Sequence, residues 1–456
     1  MTTMERVGRC RTGRSRTGGY RAGATVAVLL ALSACGVFKG SDARKTPTVG
    51  DRVPILMSEN GVEADKAIAD IQVTLPAPAA NDAWAQPGGN AEKAMGQLAL
   101  GSSPARAWTQ TIAGGSDRAR LAATPVVAEN KLFVTDVDAV VHAFAADSGA
   151  PLWTARLTES DENRGSRFGG GVSYDGGRVY ATDGLGDVVA LNAADGKELW
   201  RAKPGGPLRG APTIENDAVY VLSQDNQLFA LGAADGKVQW TQSGTLESQG
   251  VFGVAAPASS RGTIVAGFSS GELTAYRYEN GRVLWQDALS RTSITTSVSS
   301  LSDIDADPVV VDGRVYAVGQ GGRMVALDLA TGQRLWEQNF AGISTPWVAG
   351  EWLFVVTDDA RLVCLSRSNG KARWIAQLRR FRNEKKRSGA ITWFGPVLAG
   401  GRLVLTNSQG QIAYASPTDG SVAATVETKG SFALPPVVAN SVLYTVDQRG
   451  RIAAYR

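Results

Sequence analysis

The feature that most constrains this chain is a recurring turn followed by an aromatic residue. A Gly in a polar turn is followed four residues later by Trp, and short apolar runs rich in Val, Leu and Tyr precede each turn. Gly allows a positive φ at low cost, and a Trp side chain can bury on the order of 200 Å² against a neighbour. The closing Trp residues are Trp153, Trp200, Trp240, Trp285, Trp336 and Trp374, and Ala424 stands at the equivalent position of a further copy. Successive closing positions lie 38 to 51 residues apart, the length that four short strands and their turns require.

Counting the copies predicts an all-β, eight-bladed β-propeller with four-stranded antiparallel blades. Openings of the type Pro-Val-Val, followed by a third strand of the type Ala-Leu, occur eight times, and the last copy stops at Arg456 without a Trp strand of its own. Far upstream, Ala107-Trp108-Thr109 is a Trp strand with no blade in front of it. We expect this N-terminal strand to complete the last blade and close the ring, which removes an edge that could seed aggregation.

The charge of the chain is concentrated at its beginning. The 456 residues carry a formal net charge of +4, but residues 1–34 hold six Arg and one Glu, so the remainder is close to neutral. A near-neutral body gives no support for a nucleic-acid partner. We predict a signal peptide over residues 1–34, a tether and extended segment over 35–106, and the propeller over 107–456. Trp84 is expected to lie against the propeller, because its side chain needs burial.

The first 35 residues have the pattern of an export signal. Six Arg precede a short apolar run from Ala22 to Leu32, far below the length that spans a membrane. The run ends in Leu32-Ser33-Ala34-Cys35, which resembles the bacterial lipobox. That resemblance implies a lipid on Cys35, and Gly36 in place of Asp favours the outer membrane. The alternative is an ordinary signal peptide in which Cys35 carries no lipid.

The sequence offers no recognisable catalytic or metal-binding set. His142 is the only histidine and stands at a strand position held by Val or Phe in other blades, which favours a structural role. Cys364 stands where other blades have Ala, which favours a small buried residue. Neither a zinc-type site nor a Ser-His-Asp triad can be assembled from these residues. We expect no enzymatic activity, no metal and no cofactor.

The blade repeat, Ala-Leu-Asp-x-x-Thr-Gly-x-x-x-Trp, resembles that of the quinoproteins, the pyrroloquinoline-quinone (PQQ) dehydrogenases. If this chain were such an enzyme, the resemblance would imply a calcium site built from oxygen ligands and, commonly, a pair of adjacent Cys residues. No two Cys residues are adjacent in this chain. Two alternatives to a scaffold therefore stay open: a periplasmic PQQ-dependent dehydrogenase-like protein, and an envelope propeller that binds a ligand.

Two connections between blades are long enough to carry function. Residues 291–307 precede the blade that starts at Pro308, and long ordered loops are commonly functional. Residues 379–387 hold six basic residues and one acid, in the connection between the sixth and seventh blades. This basic run is either a solvated loop or a docking surface for an acidic partner or lipid headgroups.

The lipobox at Cys35, the quinoprotein-like propeller and the run Leu301-Ser302-Asp303-Ile304-Asp305 together resemble the BamB family of outer-membrane lipoproteins. The resemblance covers roughly residues 107–456 and the lipobox. It implies a non-enzymatic scaffold of the β-barrel assembly (Bam) machinery, anchored by lipid in the outer membrane and facing the periplasm. The implied partners are the central subunit BamA and other members of the complex, and unfolded outer-membrane proteins are possible substrates that could add to a blade edge as an extra strand.

The resemblance also implies residues that bind the partner. The family's acidic docking loop falls on Leu301, Asp303 and Asp305. A second docking stretch, which in the family ends in Arg, falls on Val251 and Phe252, where the Arg is missing. Either Asp could instead cap the turn that leads into Pro308.

Overall fold

The structure, a computed structural model, describes residues 61–116, 118–158, 163–208, 210–246, 255–289 and 303–456. These residues form eight four-stranded antiparallel sheets and one two-stranded hairpin. Two short 3-10 helices span Lys66–Ile68 and Arg164–Ser166. In this part of the chain, no helix combines the length and the apolar character needed to cross a membrane.

The first strand, β1 (Arg106–Thr111), does not belong to any of the first four blades. Blade 1 contains β2 (Val126–Ala128), β3 (Lys131–Thr135), β4 (Val140–Ala145) and β5 (Pro151–Arg156). Blade 2 contains β6 (Val172–Asp175), β7 (Arg178–Thr182), β8 (Val188–Asn192) and β9 (Glu198–Ala202). Blade 3 contains β10 (Thr213–Glu215), β11 (Ala218–Leu222), β12 (Gln227–Gly232) and β13 (Val238–Ser243). Blade 4 contains β14 (Ala258–Ser260), β15 (Thr263–Gly267), β16 (Glu272–Arg277) and β17 (Val283–Ala288).

The second half of the ring repeats this order and adds a hairpin between blades 6 and 7. Blade 5 contains β18 (Val309–Val311), β19 (Arg314–Gly319), β20 (Arg323–Asp328) and β21 (Arg334–Gln338). Blade 6 contains β22 (Trp347–Ala349), β23 (Trp352–Val356), β24 (Arg361–Ser366) and β25 (Ala372–Gln377). The hairpin consists of β26 (Phe381–Asn383) and β27 (Ser388–Ala390). Blade 7 contains β28 (Trp393–Ala399), β29 (Arg402–Asn407), β30 (Gln411–Ala415) and β31 (Val422–Glu427). Blade 8 contains β32 (Val437–Ala439), β33 (Val442–Val446) and β34 (Arg451–Tyr455).

The eighth blade is completed by the N-terminal strand, as predicted. Its sheet runs β1-β34-β33-β32, and Thr109 in β1 lies opposite Ala453 in β34. The backbone N–H of Arg456 donates to the carbonyl of Ala105 at 2.9 Å. The two ends of the propeller sequence are therefore joined by strand pairing, and the predicted eight-bladed fold is confirmed.

The burial pattern across each blade follows from its four positions. The two middle strands are almost entirely buried, and the outermost strand alternates between exposed and half-buried residues, as in β9. Because the chain makes a simple meander, the first and last strands of a blade meet their connections on one face of the ring. We call this the connection face; the turns between the third and fourth strands lie on the opposite face.

The repeated Trp residues join each blade to the next. Trp240 in blade 3 donates its indole N–H to the carbonyl of Tyr278 in blade 4 at 2.8 Å. A Cβ added to Gly281 of that turn, where φ is +68°, would lie 2.6 Å from the Trp240 ring. Gly is thus required both for the turn and for the stacked ring. Six further Trp residues make the same contact with the following blade: Trp108, Trp153, Trp200, Trp285, Trp336 and Trp374.

Cys364 lies in β24 and is fully buried, as the comparison of blades predicted. Burial raises the pKa of its thiol far above the ordinary value. The thiol therefore stays protonated at neutral pH and acts as a small apolar core residue.

Candidate functional site

A stretch of the N-terminal segment lines the inside of the ring. We call residues 79–99 the inner segment. Trp84 exchanges two backbone hydrogen bonds with Val127 in β2, at 2.7 and 2.9 Å, and is 3% exposed. The carbonyl of Ala85 accepts from Tyr174 in blade 2, and the amide of Gln86 bonds both backbone groups of Ile214 in blade 3. The expectation that Trp84 lies against the propeller is confirmed.

The inner segment continues past the remaining blades in order. The carbonyl of Ala91 accepts from Ser259 in blade 4, and that of Glu92 accepts from Val310 in blade 5. Gly96 accepts from the indole of Trp347 in blade 6 at 2.7 Å. Leu98 bonds Leu398 and Gly400 in blade 7, and Asn81 bonds Val438 and Asn440 in blade 8.

The two ends of the inner segment meet, which completes the circuit. The N–H of Ala79 donates to Gln97, and the N–H of Ala99 donates back to Ala79, both at 2.8 Å. One stretch of chain therefore touches the innermost strand of every blade.

A central cavity of about 480 Å³ opens between the inner segment and the blade connections. Trp84 and Lys93 of the inner segment form part of its wall, together with Asp305, Asp307 and Gln320. Its apolar wall includes Phe394 and Leu434. The described parts of the connections that precede the inner strands line this cavity, which therefore opens on the connection face.

Two opposite charges lie at the inner end of the cavity. Lys93 is 1% exposed, and its Nζ donates to the hydroxyl of Thr213 at 3.1 Å. Burial lowers the pKa of Lys93 to about 8, and the charge of Asp307 opposes this shift. Burial also raises the pKa of Asp307, and Lys93 opposes that shift. Each charge thus partly offsets the desolvation of the other.

Asp303 and Asp305 differ in exposure although they lie two residues apart. Asp303 is 1% exposed, whereas Asp305 lines the cavity and its carboxylate accepts from the side-chain amide of Gln320. Burial raises the pKa of Asp305 to about 7, with further contributions from the charges of Asp303 and Asp358, while Gln320 opposes the shift. Asp305 is therefore poised between its two protonation states near neutral pH.

Asp307 links the two connections that were predicted to dock a partner. Its Oδ1 accepts from the backbone N–H of Ala256 at 2.7 Å, and its own N–H donates to the hydroxyl of Thr345. Ala256 and Asp307 end the connections that lead into blades 4 and 5. The other predicted site residues, Val251, Phe252, Leu301 and Cys35, lie outside the described residues.

His142 holds a turn of blade 1. Its Nε2 lies 2.7 Å from Oδ2 of Asp136, and its ring stacks on Phe144. Oδ1 of Asp136 accepts from the backbone N–H groups of Asp138 and Val140. This arrangement agrees with the structural role predicted for His142. Within the described part of the chain, no group of three or more His, Cys, Asp or Glu residues is placed to hold a metal ion.

The basic run identified in the sequence forms the ordered hairpin β26–β27. All six of its basic residues are exposed: Arg379, Arg380, Arg382, Lys385, Lys386 and Arg387. Sequence reasoning missed this order, as it missed the inner segment. The available signal was Trp393, a buried aromatic residue directly after the run, whose indole N–H donates to Arg379.

The fold defines the chain as an eight-bladed β-propeller of the quinoprotein-like repeat type, with a lined central cavity. A family model described as outer membrane protein assembly factor BamB matches residues 99–164 and 137–376. The chain belongs to this BamB family.

Individual comparisons agree with this assignment. The outer membrane protein assembly factor BamB of Salmonella typhimurium is 30% identical over 358 residues, covering 77% of this chain and 88% of that protein. The crystal structure of BamB from Moraxella catarrhalis superposes with a TM-score of 0.63 at 18% identity, covering 78% of this chain and all of that one. Quinohemoprotein alcohol dehydrogenase from Comamonas testosteroni gives the same TM-score at 14% identity, over 82% of this chain and 80% of that one, which shows the fold alone. The relatives named as assembly factors therefore bear out the expectation of a non-enzymatic protein.

Proposed function

We propose that this chain is a scaffold lipoprotein of the outer-membrane β-barrel assembly machinery that docks on a periplasmic domain of the BamA-like central subunit. It is anchored in the outer membrane through Cys35, faces the periplasm and assists the insertion of outer-membrane proteins. Its membership of the BamB family supports the assembly role. The docking surface consists of the connections that lead into blades 4 and 5.

The hydrogen bond between Asp307 and Ala256 is the observation that carries the docking proposal. It joins the described ends of two connections that the family resemblance had marked separately, 51 residues apart. The second connection is held further by the N–H of Gln320, which donates to the carbonyl of Asp303 at 2.8 Å, and by Ile304, which is 2% exposed. Two stretches with a common rigid base can present one composite surface to a partner.

We assign different roles to the residues of this surface. Leu301, Val251 and Phe252 supply apolar contacts, because apolar and aromatic anchors dominate the energy of protein interfaces. Asp305 supplies a carboxylate. Asp303, at 1% exposure, orients the loop from within and is a positioning residue.

Docking can be tested with purified periplasmic domains of the central subunit. Leu301→Ala and Phe252→Ala should each weaken binding roughly tenfold, as loss of an apolar anchor does. Asp305→Ala should weaken binding without lowering the melting temperature. Asp303→Ala should weaken binding and also lower the melting temperature. Isothermal titration calorimetry beside thermal melts separates these effects.

The matched control is Leu199→Ala, which removes a 47% exposed Leu from the outer strand β9. It should leave the affinity unchanged. Unchanged affinity in the Leu301, Phe252 and Asp305 variants would show that the partner binds elsewhere.

The lipid anchor is tested by Cys35→Ser. The hydroxyl of Ser is not the nucleophile that lipid transfer to a lipobox Cys requires, so the variant should carry no lipid and leave the outer membrane. Metabolic labelling with radioactive palmitate and membrane fractionation measure both outcomes. Label that still enters the Ser variant would refute acylation at this position, and an unchanged thermal melt would show that the fold does not depend on the anchor.

A further inference from the structure

The hairpin β26–β27 concentrates positive charge on the connection face. Its strands pair through Phe381 with Ala390 and Asn383 with Ser388. Residues 382–390 are all exposed. Nine consecutive residues, 379–387, contain six basic residues and one acid. The hairpin lies in the connection between blades 6 and 7, away from the proposed docking connections into blades 4 and 5.

The positive charges of the hairpin are not neutralised within the described part of the protein. None of the six basic side chains takes part in an ion pair with another described residue. The carboxylate of the single acid, Glu384, is engaged by the backbone instead: its Oε1 accepts from the N–H groups of Arg380 and Phe381 at 3.0 Å each. Like charges held this close repel one another, and an external anion would relieve that repulsion.

The hairpin is held in shape by contacts that leave most of the charges outward. Trp393, 6% exposed, donates its indole N–H to the carbonyl of Arg379 at 2.9 Å. The guanidinium of Arg379 donates to the carbonyls of Phe381 and Arg382. At the tip, the N–H of Lys386 donates to the side chain of Asn383 at 3.0 Å. A fixed cluster loses less conformational entropy on binding than a mobile loop does.

The composition of the hairpin indicates which kind of anionic partner it fits. A protein interface needs an apolar core that is excluded from water, with aromatic or aliphatic anchors. The only aromatic residue of the hairpin, Phe381, is half-buried, and the guanidinium carbon of Arg380 lies 5.4 Å from its ring centroid. Guanidinium and ammonium groups bind phosphate well, and a layer of lipid headgroups requires no apolar anchor.

We propose that the hairpin β26–β27 is a membrane-contact element that binds the phosphates of anionic phospholipids. The contact is electrostatic and lies at the headgroup surface, without insertion of side chains into the hydrocarbon. It adds a second, reversible attachment on the connection face, independent of the lipid proposed for Cys35. Attachment at two points restricts how the propeller can turn relative to the membrane.

Vesicle binding by the chain of residues 36–456 tests this proposal without the signal peptide or the anchor. This chain contains the inner segment and all eight blades, as described above. It should co-sediment with vesicles of phosphatidylcholine mixed with phosphatidylglycerol, but not with phosphatidylcholine alone, and added salt should release it. The variant Lys385→Glu, Lys386→Glu, Arg387→Glu should reduce this binding by about a hundredfold or more, since each basic residue near an anionic surface contributes about fivefold.

A control with the same change in charge is available on the opposite face. Lys197, Lys237 and Arg282 lie in turns between third and fourth strands, and the two Lys side chains are 81% and 83% exposed. Changing these three residues to Glu should leave vesicle binding nearly intact. Lys385→Arg with Lys386→Arg should retain full binding, because the charge is kept. Thermal melts establish that each variant is folded.

Three results would overturn the proposal. One is equal loss of binding in the control variant, which would indicate a response to net charge alone. Another is the absence of binding to phosphatidylglycerol vesicles at low salt. The third is a hairpin variant that still binds vesicles but no longer binds the periplasmic domains of the central subunit, which would make the hairpin a protein contact. Because that docking is measured separately, failure of either proposal is recognised without the other.

Discussion

Single residues around the central cavity owe their properties to burial more than to their position in the sequence. Asp303 and Asp305 are separated by one residue, and an extended chain would direct both side chains the same way. The structure instead buries Asp303 and leaves Asp305 on the cavity wall. Ionisation of the Asp305 carboxyl is therefore disfavoured both by desolvation and by the neighbouring charge of Asp303.

This raised pKa predicts how stability depends on pH. The pKa of Asp305 is about 7 in the folded protein, whereas the ordinary value of 3.8 applies in the unfolded chain. Between these two pH values, proton uptake by the folded protein favours folding. The contribution is complete below the ordinary pKa and is lost as the pH rises through about 7. Asp305→Asn removes the charge, so the variant should exceed the wild type in stability at pH 8 by on the order of 2 kcal/mol. The difference should vanish towards pH 4 in urea unfolding curves measured across this range.

Asp328 provides a control, because its pKa is shifted in the opposite direction from that of Asp305. The hydroxyl and backbone N–H of Thr331 hold the pKa of its carboxyl below the ordinary value. Its contribution is therefore present above the ordinary pKa and is lost as the pH falls through the lower, folded value. Asp328→Ala should reduce stability at pH 8, not increase it. An Asp305→Asn variant that is less stable than the wild type at pH 8 would contradict the raised pKa.

At the scale of elements, the contact between a Trp and the Gly of the next turn explains both the repeat and its exception. Seven of the eight interfaces between blades carry this contact. The exception is blade 7, where Ala424 replaces Trp. The next blade, blade 8, has no turn between its third and fourth strands, because its fourth strand is β1, which precedes blade 1 in the chain. A Trp at position 424 would have no Gly turn to cover.

This explanation predicts three different outcomes at equivalent positions. Trp240→Ala should destabilise the protein by about 3 to 5 kcal/mol, because it leaves a cavity between blades 3 and 4. Gly281→Ala should cost at least about 1 kcal/mol, since a Cβ there meets both a positive φ and the Trp240 ring. Ala424→Trp should bring no gain in the free energy of unfolding. Chemical denaturation measures all three, and clear stabilisation by Ala424→Trp would show that blade 8 can receive the ring.

At the scale of the whole molecule, the ring is held together twice. Strand β1 completes blade 8 from outside, and the inner segment bonds the innermost strand of each blade from within. The first device closes the ring, and the second fixes the spacing of all eight inner strands. The cavity wall depends on the second, because Trp84 and Lys93 belong to it.

Stepwise removal of the inner segment and then of β1 should first lower the melting temperature and then cause aggregation. A chain that begins at Pro104 keeps β1 but lacks the inner segment, and loses the buried side chains of Trp84 and Leu98. Its melting temperature should fall by on the order of 10 °C. A chain that begins at Ala122 also lacks β1, exposes the edge of β34 and should aggregate. Calorimetry and light scattering, with a chain starting at Gly61 as reference, measure these steps. Equal melting of all three chains would show that neither device holds the ring.

The sequence by itself determined the blade count, the strand order within a blade and the closure by the strand around Trp108. Each of these repeats along the chain or is visible as a missing part of a repeat, and such patterns depend on local periodicity and turn chemistry. The small core position of Cys364 and the structural position of His142 followed from the same comparison of blades.

Only the tertiary structure decided the course of the inner segment, the burial of Lys93 and Asp303, and the ordered basic hairpin. Each residue of the inner segment meets a different blade, so no periodic pattern along the chain records its contacts. Lys93 is buried because its partners, Thr213 and Asp307, reach it from blade 3 and from the connection into blade 5. The contact between Lys93 and Thr213 spans 120 positions and has no counterpart in the repeat, so it exists only when the ring is closed.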